Sequence, residues 1–235
     1  MSDSQFQFPY TIKLCGTAGE GILTAGELLL YAVSDYGYYG SAYRNYPANI
    51  ESGFTASIIR ISNQPVISPV ASIDCLFIRS SEYFSQYITE YNKNAVCLFD
   101  SEECCNKTIH NILKKHNRLD ISIISLPLQY HFKKDVFLSC LSTVIFGTLG
   151  RFLSIPLKVL QKSFQYHFKD KNIQFIKMND SILSSVYSFT GSFFKNHQKL
   201  QPQTPQKKTN LINGNMAFTN GAIKSGCTFF SSYPI

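Results

Sequence analysis

The feature that most constrains this chain lies near its start. A β-prone run, Tyr10-Thr-Ile-Lys-Leu-Cys15, stops at a glycine-rich turn, Gly16-Thr-Ala-Gly19-Glu-Gly21, and a helix follows. In that helix Ile22, Leu23, Leu28, Leu29, Ala32 and Val33 recur at helical spacing as far as about Asp35. Strand, tight turn and helix in this order form the building unit of an open α/β sheet. Glycines in such a turn permit positive φ and close approach. The helix N-terminus behind them offers unpaired N–H groups to an anion. The spacing is nevertheless Gly-x-x-Gly-x-Gly, whereas the dinucleotide fingerprint is Gly-x-Gly-x-x-Gly, and no Lys-Ser/Thr pair follows as a P-loop requires. Asp35 falls near the position of a ribose-binding acid but sits in the helix end before Gly37. Close packing of strand on helix is the first explanation of the glycines, and anion contact the second.

The pattern continues downstream. An extended aromatic stretch, Tyr38 to Tyr43, ends at Tyr46-Pro47, because a residue before proline avoids helical geometry. Thr55 to Ile61 alternates as a strand does. Ile73 to Ile78 and Ala95 to Phe99 are near-continuous apolar runs, as expected of central parallel strands, and Ile121 to Leu126 is a further strand. Helices are predicted over Ser81–Tyr91 and Thr108–Lys115. Strand and helix alternating in this way predict a parallel sheet covered by helices. From Lys133 onward only helices are predicted: Lys134–Phe152, Pro156–Phe168, and one from Ile173 or Asn179 to Phe189. Gln198 to Asn210 has prolines and glutamines without apolar periodicity and reads as a linker. Beyond it, Gly214 opens a short helix and Cys227 to Phe230 reads as a strand, the opening of a second domain too short to bury a core.

Charge and cysteine content narrow the function classes. The 235 residues carry a formal charge of +7. The basic residues are scattered, with pairs such as Lys133-Lys134 and Lys207-Lys208, and form no dense run of the kind that binds nucleic acid. Seven cysteines, at 15, 75, 97, 104, 105, 140 and 227, show no Cys-x-x-Cys. Cys15, Cys75 and Cys97 sit inside apolar runs and read as small buried hydrophobes, the compartment reads as reducing and cytoplasmic, and no zinc or iron–sulfur framework is expected. The longest uncharged run, Val136 to Gly150, is shorter than the roughly 20 residues a membrane span needs. No targeting peptide, no membrane association and no nucleic-acid partner are expected.

At Gly16-Thr-Ala-Gly-Glu-Gly-Ile-Leu-Thr-Ala-Gly-Glu-Leu-Leu29 and Tyr43-Arg-Asn-Tyr-Pro-Ala-Asn-Ile50 the chain resembles the γ subunit or domain of 2-oxoacid:ferredoxin oxidoreductases. Phe168-Lys-Asp-Lys171 with Asn179 is similar to a helical end of the same domain. Gly214-Asn-Met-Ala-Phe-Thr-Asn-Gly-Ala-Ile-Lys-Ser-Gly-Cys227 and Tyr233-Pro-Ile235 resemble the start of that family's α domain. The order of parts is that of the 2-oxoglutarate ferredoxin oxidoreductase alpha-subunit type, in which a γ domain precedes an α domain. Glu51-Ser52 stand where the family has a basic residue and a glycine.

The resemblance implies an α/β fold, with a parallel-sheet, Rossmann-like γ domain and C-terminal helices over residues 1–195. A linker over 196–210 and a truncated thiamine-diphosphate-domain start over 211–235 would follow. It implies a part of an enzyme that decarboxylates a 2-oxoacid to an acyl-CoA, inactive without its α and β parts. Thiamine diphosphate, an iron–sulfur cluster and coenzyme A are implied for the complete complex, and none is assigned to this chain alone. The implied partners are the β subunit, the remaining α domain and, through the complex, ferredoxin. Gly16, Gly19, Gly21, Arg44 and Tyr46 are the residues expected to meet a ligand or a subunit, arginine being the side chain best suited to phosphate. No catalytic residue and no metal ligand is expected, and the five histidines read as surface groups. Asp100, Glu102 and Glu103 end a strand where α/β ligands bind, but a solvated loop is the preferred explanation of them. The competing reading is a stand-alone nucleotide-fold binding module, or a decayed fragment without enzymatic activity.

Overall fold

A computed structural model describes residues 7–45, 54–66, 72–132, 134–195, 197, 199–203 and 211–231. It divides into two compact units, one ending at Thr204 and one beginning at Pro205. The first unit is built on a six-stranded sheet. Its strands are β1 (Tyr10–Thr17), β2 (Tyr39–Asn45), β3 (Phe54–Ser62), β4 (Ile73–Ile78), β5 (Tyr91–Asp100) and β6 (Ser122–Leu126). Their spatial order is β2-β3-β1-β4-β5-β6. The helices of this unit are α1 (Ile22–Asp35), α2 (Ser81–Gln86), α3 (Asn106–Lys115), α4 (Leu128–His131), α5 (Lys134–Ser139), α6 (Leu141–Phe152), α7 (Leu157–His167) and α8 (Ile173–Thr190).

The α/β class is as expected, with one refinement. Strands β1, β4, β5 and β6 run parallel, in registers such as Leu14 beside Phe77 and Leu98 beside Ile124. Strands β2 and β3 instead form an antiparallel extension on the other side of β1. Alternation along the central strands sends successive side chains to opposite faces. Cys15, Leu76, Ile78, Cys97 and Phe99 enter one buried cluster with Phe84 of α2 and Ile109 and Leu113 of α3. The opposite face carries α1, which lies so close to β3 that a Cβ on Gly26 would collide with the Ser57 side chain.

Helix α6 is the centre of the second layer. Ten of its residues are buried, including Val144, Ile145, Phe146 and Leu149, so it has no solvent face. It is pressed by α8 at Gly147, where an added Cβ would meet Val186 Cγ1 at 2.4 Å. The same two helices are joined by a buried hydrogen bond from Thr143 Oγ1 to Asn179 Oδ1 (2.6 Å).

Several local expectations need correction. The helix predicted over 134–152 is two helices, α5 and α6, separated at Cys140 (φ −116°, ψ 19°). Neither proline nor glycine causes the break. Ser139 Oγ donates to the Val136 carbonyl (3.0 Å), the kind of local bond that competes with the helical ladder. The helix predicted to reach Tyr91 stops at Gln86, and Tyr91 already belongs to β5. The Arg118 guanidinium accounts for this turn, donating to the carbonyls of Ile88, Tyr91 and Asn92 at 2.9–3.0 Å.

In the second unit, α9 (Gly214–Lys224) is a helix of which no residue is buried. Cys227 to Phe230 is not a strand. Gly226 takes φ +81°, and the Cys227 N–H donates to the Ala222 carbonyl (3.0 Å), so this stretch begins as a helix cap. Residues 199–203, read as the start of a linker, lie against the first unit. Leu200 is buried, its N–H donates to the Leu153 carbonyl (3.1 Å), and Tyr38 Oη donates to the Gln201 carbonyl (2.6 Å).

Candidate functional site

The carboxyl ends of the parallel strands are where loops of an α/β sheet meet a ligand, and here they bring together the glycine turn and groups that are distant in sequence. The turn closes on itself through Glu20. The Thr17 N–H donates to Glu20 Oε2 (2.7 Å), and the Glu20 N–H donates to the Thr17 carbonyl (3.2 Å). The three glycines of the turn serve different needs. A Cβ on Gly16 would strike Glu20 Oε2 at 2.5 Å and the Ile22 side chain. Gly19 has φ +91° and open space around it. Gly21, with φ +73°, is the N-cap of α1, and its would-be Cβ lies 2.7 Å from Ser142 Cβ and 3.2 Å from the Ser142 backbone. The N-terminus of α1 is thereby set against that of α6. Neither helix has a side-chain cap or an acidic residue in its first turn.

Arg79, which follows β4, completes the cluster. Its N–H donates to the Cys15 carbonyl (3.2 Å), continuing the ladder between β1 and β4. Its side chain, 5% exposed, reaches Glu20 Oε1 from Nε and Nη2 (both 3.4 Å) and Glu103 Oε1 from Nη2 (3.1 Å). The guanidinium carbon lies 5.6 Å from the centre of the Phe137 ring. Nη1 is buried and has no hydrogen-bond partner among the described residues.

Asp100, at the end of β5, is fully buried, so the solvated-loop reading does not hold for it. It accepts from the Glu102 N–H (3.2 Å) and the Gln129 N–H (3.0 Å), fastening the end of β5 to α4. Burial pushes its carboxyl above the usual range, against the pull of those two donors and of Arg79. Glu102 stays exposed, as a solvated loop residue should.

Of the residues singled out by sequence, Gly16, Gly19 and Gly21 form the loop just described. Arg44 ends β2 at the same level of the sheet but lies along the second turn of α1, where it pairs with Glu27. Tyr46 lies outside the described residues. Arg79, Ser142 and Phe137 were not singled out. The available signal for Arg79 was a cation placed at the carboxyl end of a strand that is apolar from Cys75 to Ile78.

The remaining reactive groups do not assemble. Five cysteines (15, 75, 97, 104 and 140) are buried. Burial pushes the Cys15 and Cys104 thiols up to about 12. Among the described residues, no group of three or more His, Cys, Asp or Glu is placed to hold a metal ion. His110, His116 and His131 are exposed, and His131 also stacks on Phe189 (ring centres 4.0 Å apart). His167 and His197 are half-buried, which corrects the surface reading for those two, and burial lowers both their pKa values. No helix among the described residues is long and apolar enough to cross a membrane.

Comparison with known proteins gives consistent matches. The sequence profile described as "Pyruvate ferredoxin/flavodoxin oxidoreductase" matches residues 11–189. The chain is 24% identical to the 2-oxoacid:ferredoxin oxidoreductase subunit alpha of a Sulfolobus species, over 94% of its own length and 39% of the relative's. It therefore spans about two fifths of the curated relatives it matches. In structure it resembles a 2-oxoglutarate:ferredoxin oxidoreductase from Magnetococcus marinus solved with 2-oxoglutarate, coenzyme A and succinyl-CoA bound. The TM-score is 0.81 at 19% identity, covering 98% of this chain and 39% of that one. It also resembles the keto/oxoacid ferredoxin oxidoreductase gamma subunit of Geobacter sulfurreducens, with a TM-score of 0.62 at 18% identity, covering 80% of this chain and all of that one. A third match is the pyruvate oxidoreductase subunit PORC of Thermotoga maritima, with a TM-score of 0.59 at 21% identity, covering 78% of this chain and 97% of that one.

Proposed function

The chain belongs to the pyruvate ferredoxin/flavodoxin oxidoreductase family, and from that premise we propose that its first unit is the γ domain of a 2-oxoacid:ferredoxin oxidoreductase in which a γ domain is joined to an α domain. The observation that carries this reading is the difference in coverage. Separate γ-type subunits are matched along essentially their whole length by 78–80% of this chain. The relatives called subunit alpha and the Magnetococcus enzyme are matched by 94–98% of it. The family match likewise ends at residue 189, short of Pro205, where the second unit begins.

The reaction converts a 2-oxoacid and coenzyme A to an acyl-CoA and carbon dioxide, releasing two electrons to ferredoxin. Thiamine diphosphate, when bound, supplies the carbanion that carries the acyl group, and iron–sulfur chemistry supplies the electron path. Neither is assigned to the described residues, among which no group of three or more His, Cys, Asp or Glu is placed to hold a metal ion. Both belong to the β subunit and to the remaining α domain. Coenzyme A fits better. Its phosphates suit the uncapped N-terminus of α1 and the +7 charge of the chain. In this reading Gly16, Gly19 and Gly21 shape a floor over which coenzyme A or the partner subunit lies, with Arg44 to one side of it. The residues of this chain orient and enclose the ligand.

The test is reconstitution. The chain is co-produced with a β-type thiamine-binding subunit and the remaining α sequence, and acceptor reduction dependent on 2-oxoacid and coenzyme A is followed. Activity is expected from the assembly and not from the chain alone. If no β-type subunit co-purifies and the chain does not bind coenzyme A by calorimetry, the reading is wrong. Coenzyme A binding without any subunit association would favour a stand-alone binding module.

A further inference from the structure

We infer that Asn213 is a site of spontaneous covalent modification, at which the side-chain amide closes on the Gly214 nitrogen, loses ammonia and reopens with water to isoaspartate and aspartate. The site lies in the second unit and is independent of the enzyme assignment.

The sequence contains two Asn-Gly pairs, Asn213-Gly214 and Asn220-Gly221. Glycine is the following residue that least hinders such a closure, because no Cβ stands beside its nitrogen. Sequence alone ranks the two pairs equally, and the fold does not. All four residues are exposed, so water reaches both pairs. A Cβ on Gly214 or on Gly221 would meet nothing within 4 Å among the described residues, so crowding does not separate them either.

Backbone hydrogen bonding does separate them. Asn220 and Gly221 lie inside α9, where the helical ladder commits the Gly221 N–H to the carbonyl four residues back, that of Ala217. Closure there has to break that bond and twist ψ in the middle of a helix. Asn213 is instead the N-cap, with φ −87° and ψ 168°, and Gly214 is the first helical residue, whose N–H has no acceptor within the helix. The attacking nitrogen therefore stands outside the ladder, and the ψ that must rotate precedes the helix. The Met216 N–H donates to Asn213 Oδ1 (2.8 Å), the oxygen on which negative charge develops as the nitrogen adds to Cγ. A donor already in place stabilises that charge. No residue of α9 is buried, so no packing holds the cap against the rotation.

The chemistry balances with water as the only co-reactant. The bond from the Gly214 nitrogen to Asn213 Cγ forms, the bond from Cγ to the amide nitrogen breaks, and the Gly214 N–H proton leaves with the ammonia. Water then opens the five-membered ring at either of its carbonyls. Opening at Cγ gives aspartate, which keeps an oxygen at the N-cap and adds a negative charge that the helix end favours. Opening at the backbone carbonyl gives isoaspartate, with the chain rerouted through Cβ and Cγ. The Ala217 N–H, which donates to the Asn213 carbonyl (2.9 Å), then loses that acceptor from its place, and the first turn of α9 loosens.

Peptide mapping by mass spectrometry tests this on the full chain, incubated at mildly alkaline pH either folded or in urea. Both Asn-Gly pairs convert in urea, and their rates there give the ratio set by sequence alone. In the folded chain the ratio of the Asn213 rate to the Asn220 rate should rise severalfold above that value. Isoaspartate, read out by enzymatic methylation of the isolated peptide, should be among the products at position 213. Gly214→Ala should suppress conversion of Asn213 severalfold and leave that of Asn220 unchanged. The inference is overturned if the ratio is the same folded and in urea, or falls on folding. It is overturned equally if Gly214→Ala converts at position 213 as fast as wild type. Aspartate formed there without isoaspartate would mean direct hydrolysis of the side chain, and would remove the ring closure.

Discussion

Two glycines of one turn provide an internal comparison of what the turn is for. Gly19 and Gly21 both have positive φ, +91° and +73°, where an L side chain costs about 1–2 kcal/mol. Their surroundings differ. A Cβ on Gly19 meets nothing within 4 Å among the described residues, so Gly19→Ala should cost only that backbone term. A Cβ on Gly21 would lie 2.7 Å from Ser142 Cβ and 3.2 Å from Ser142 Cα and N. Backbone atoms cannot rotate aside, so α1 and α6 must separate, adding an overpacking penalty of about 1–3 kcal/mol. Gly21→Ala should therefore destabilise the first unit by about 2–5 kcal/mol in all. The excess over Gly19→Ala corresponds to a fall in melting temperature of about 2–12 °C for a unit of this size. Urea unfolding followed by circular dichroism measures both variants against wild type. Ser142→Gly in the Gly21→Ala background should recover part of the loss, because it removes the nearest of the three contacts. Equal destabilisation by the two alanines, or no coupling with Ser142, would refute the claim that Gly21 exists to let the two helix ends meet.

Two further outcomes are expected. A chain ending at Thr204 should melt as the first unit of the full chain does. A chain ending at His197 should lose about 2–4 kcal/mol, because it uncovers the pocket of Leu200 and frees the partners of residues 200, 201 and 203; equal melting temperatures would show that this segment contributes nothing. Asp100 has its carboxyl raised by burial, so between its folded-state pKa and the ordinary carboxylate value the folded chain binds more protons than the unfolded one. Wild type should thus gain stability relative to Asp100→Asn as the pH falls from 7 towards 4, measured by urea midpoints, and a relative loss would contradict the direction assigned to Asp100.

What the sequence made legible was local. Strand β4 and the glycine turn with its helix announce themselves through a near-continuous apolar run, glycine spacing and 3.6-residue periodicity, and each lies where those signals end. The reversal of β3, which runs against both β1 and β2, was not legible, because a strand's own residues do not say which way its neighbour runs. The break at Cys140 has no proline or glycine to mark it, so composition does not reveal it. The candidate site was half legible. Its glycines stand in a motif, whereas Arg79 is recognisable only once β4 is known to end beside Cys15. Asp100 was noticed for its position, but its burial comes from α4, which carries no distinctive pattern of its own.

Consider last the wall that helix α6 raises behind Gly21. A sequence motif can be moved between proteins only when everything that gives it shape travels with it. The turn at residues 16–21 does not meet that condition, since its last glycine is backed by Ser142 and its carboxylate by Arg79 and whatever positions Glu103. Helix α6 is in turn keyed to α8 through Gly147 and Asn179. Grafting the first 35 residues onto another parallel sheet would transfer the letters of the motif without its geometry. For the same reason, a search for this turn by its glycines alone will find many chains in which the same letters hold a different shape.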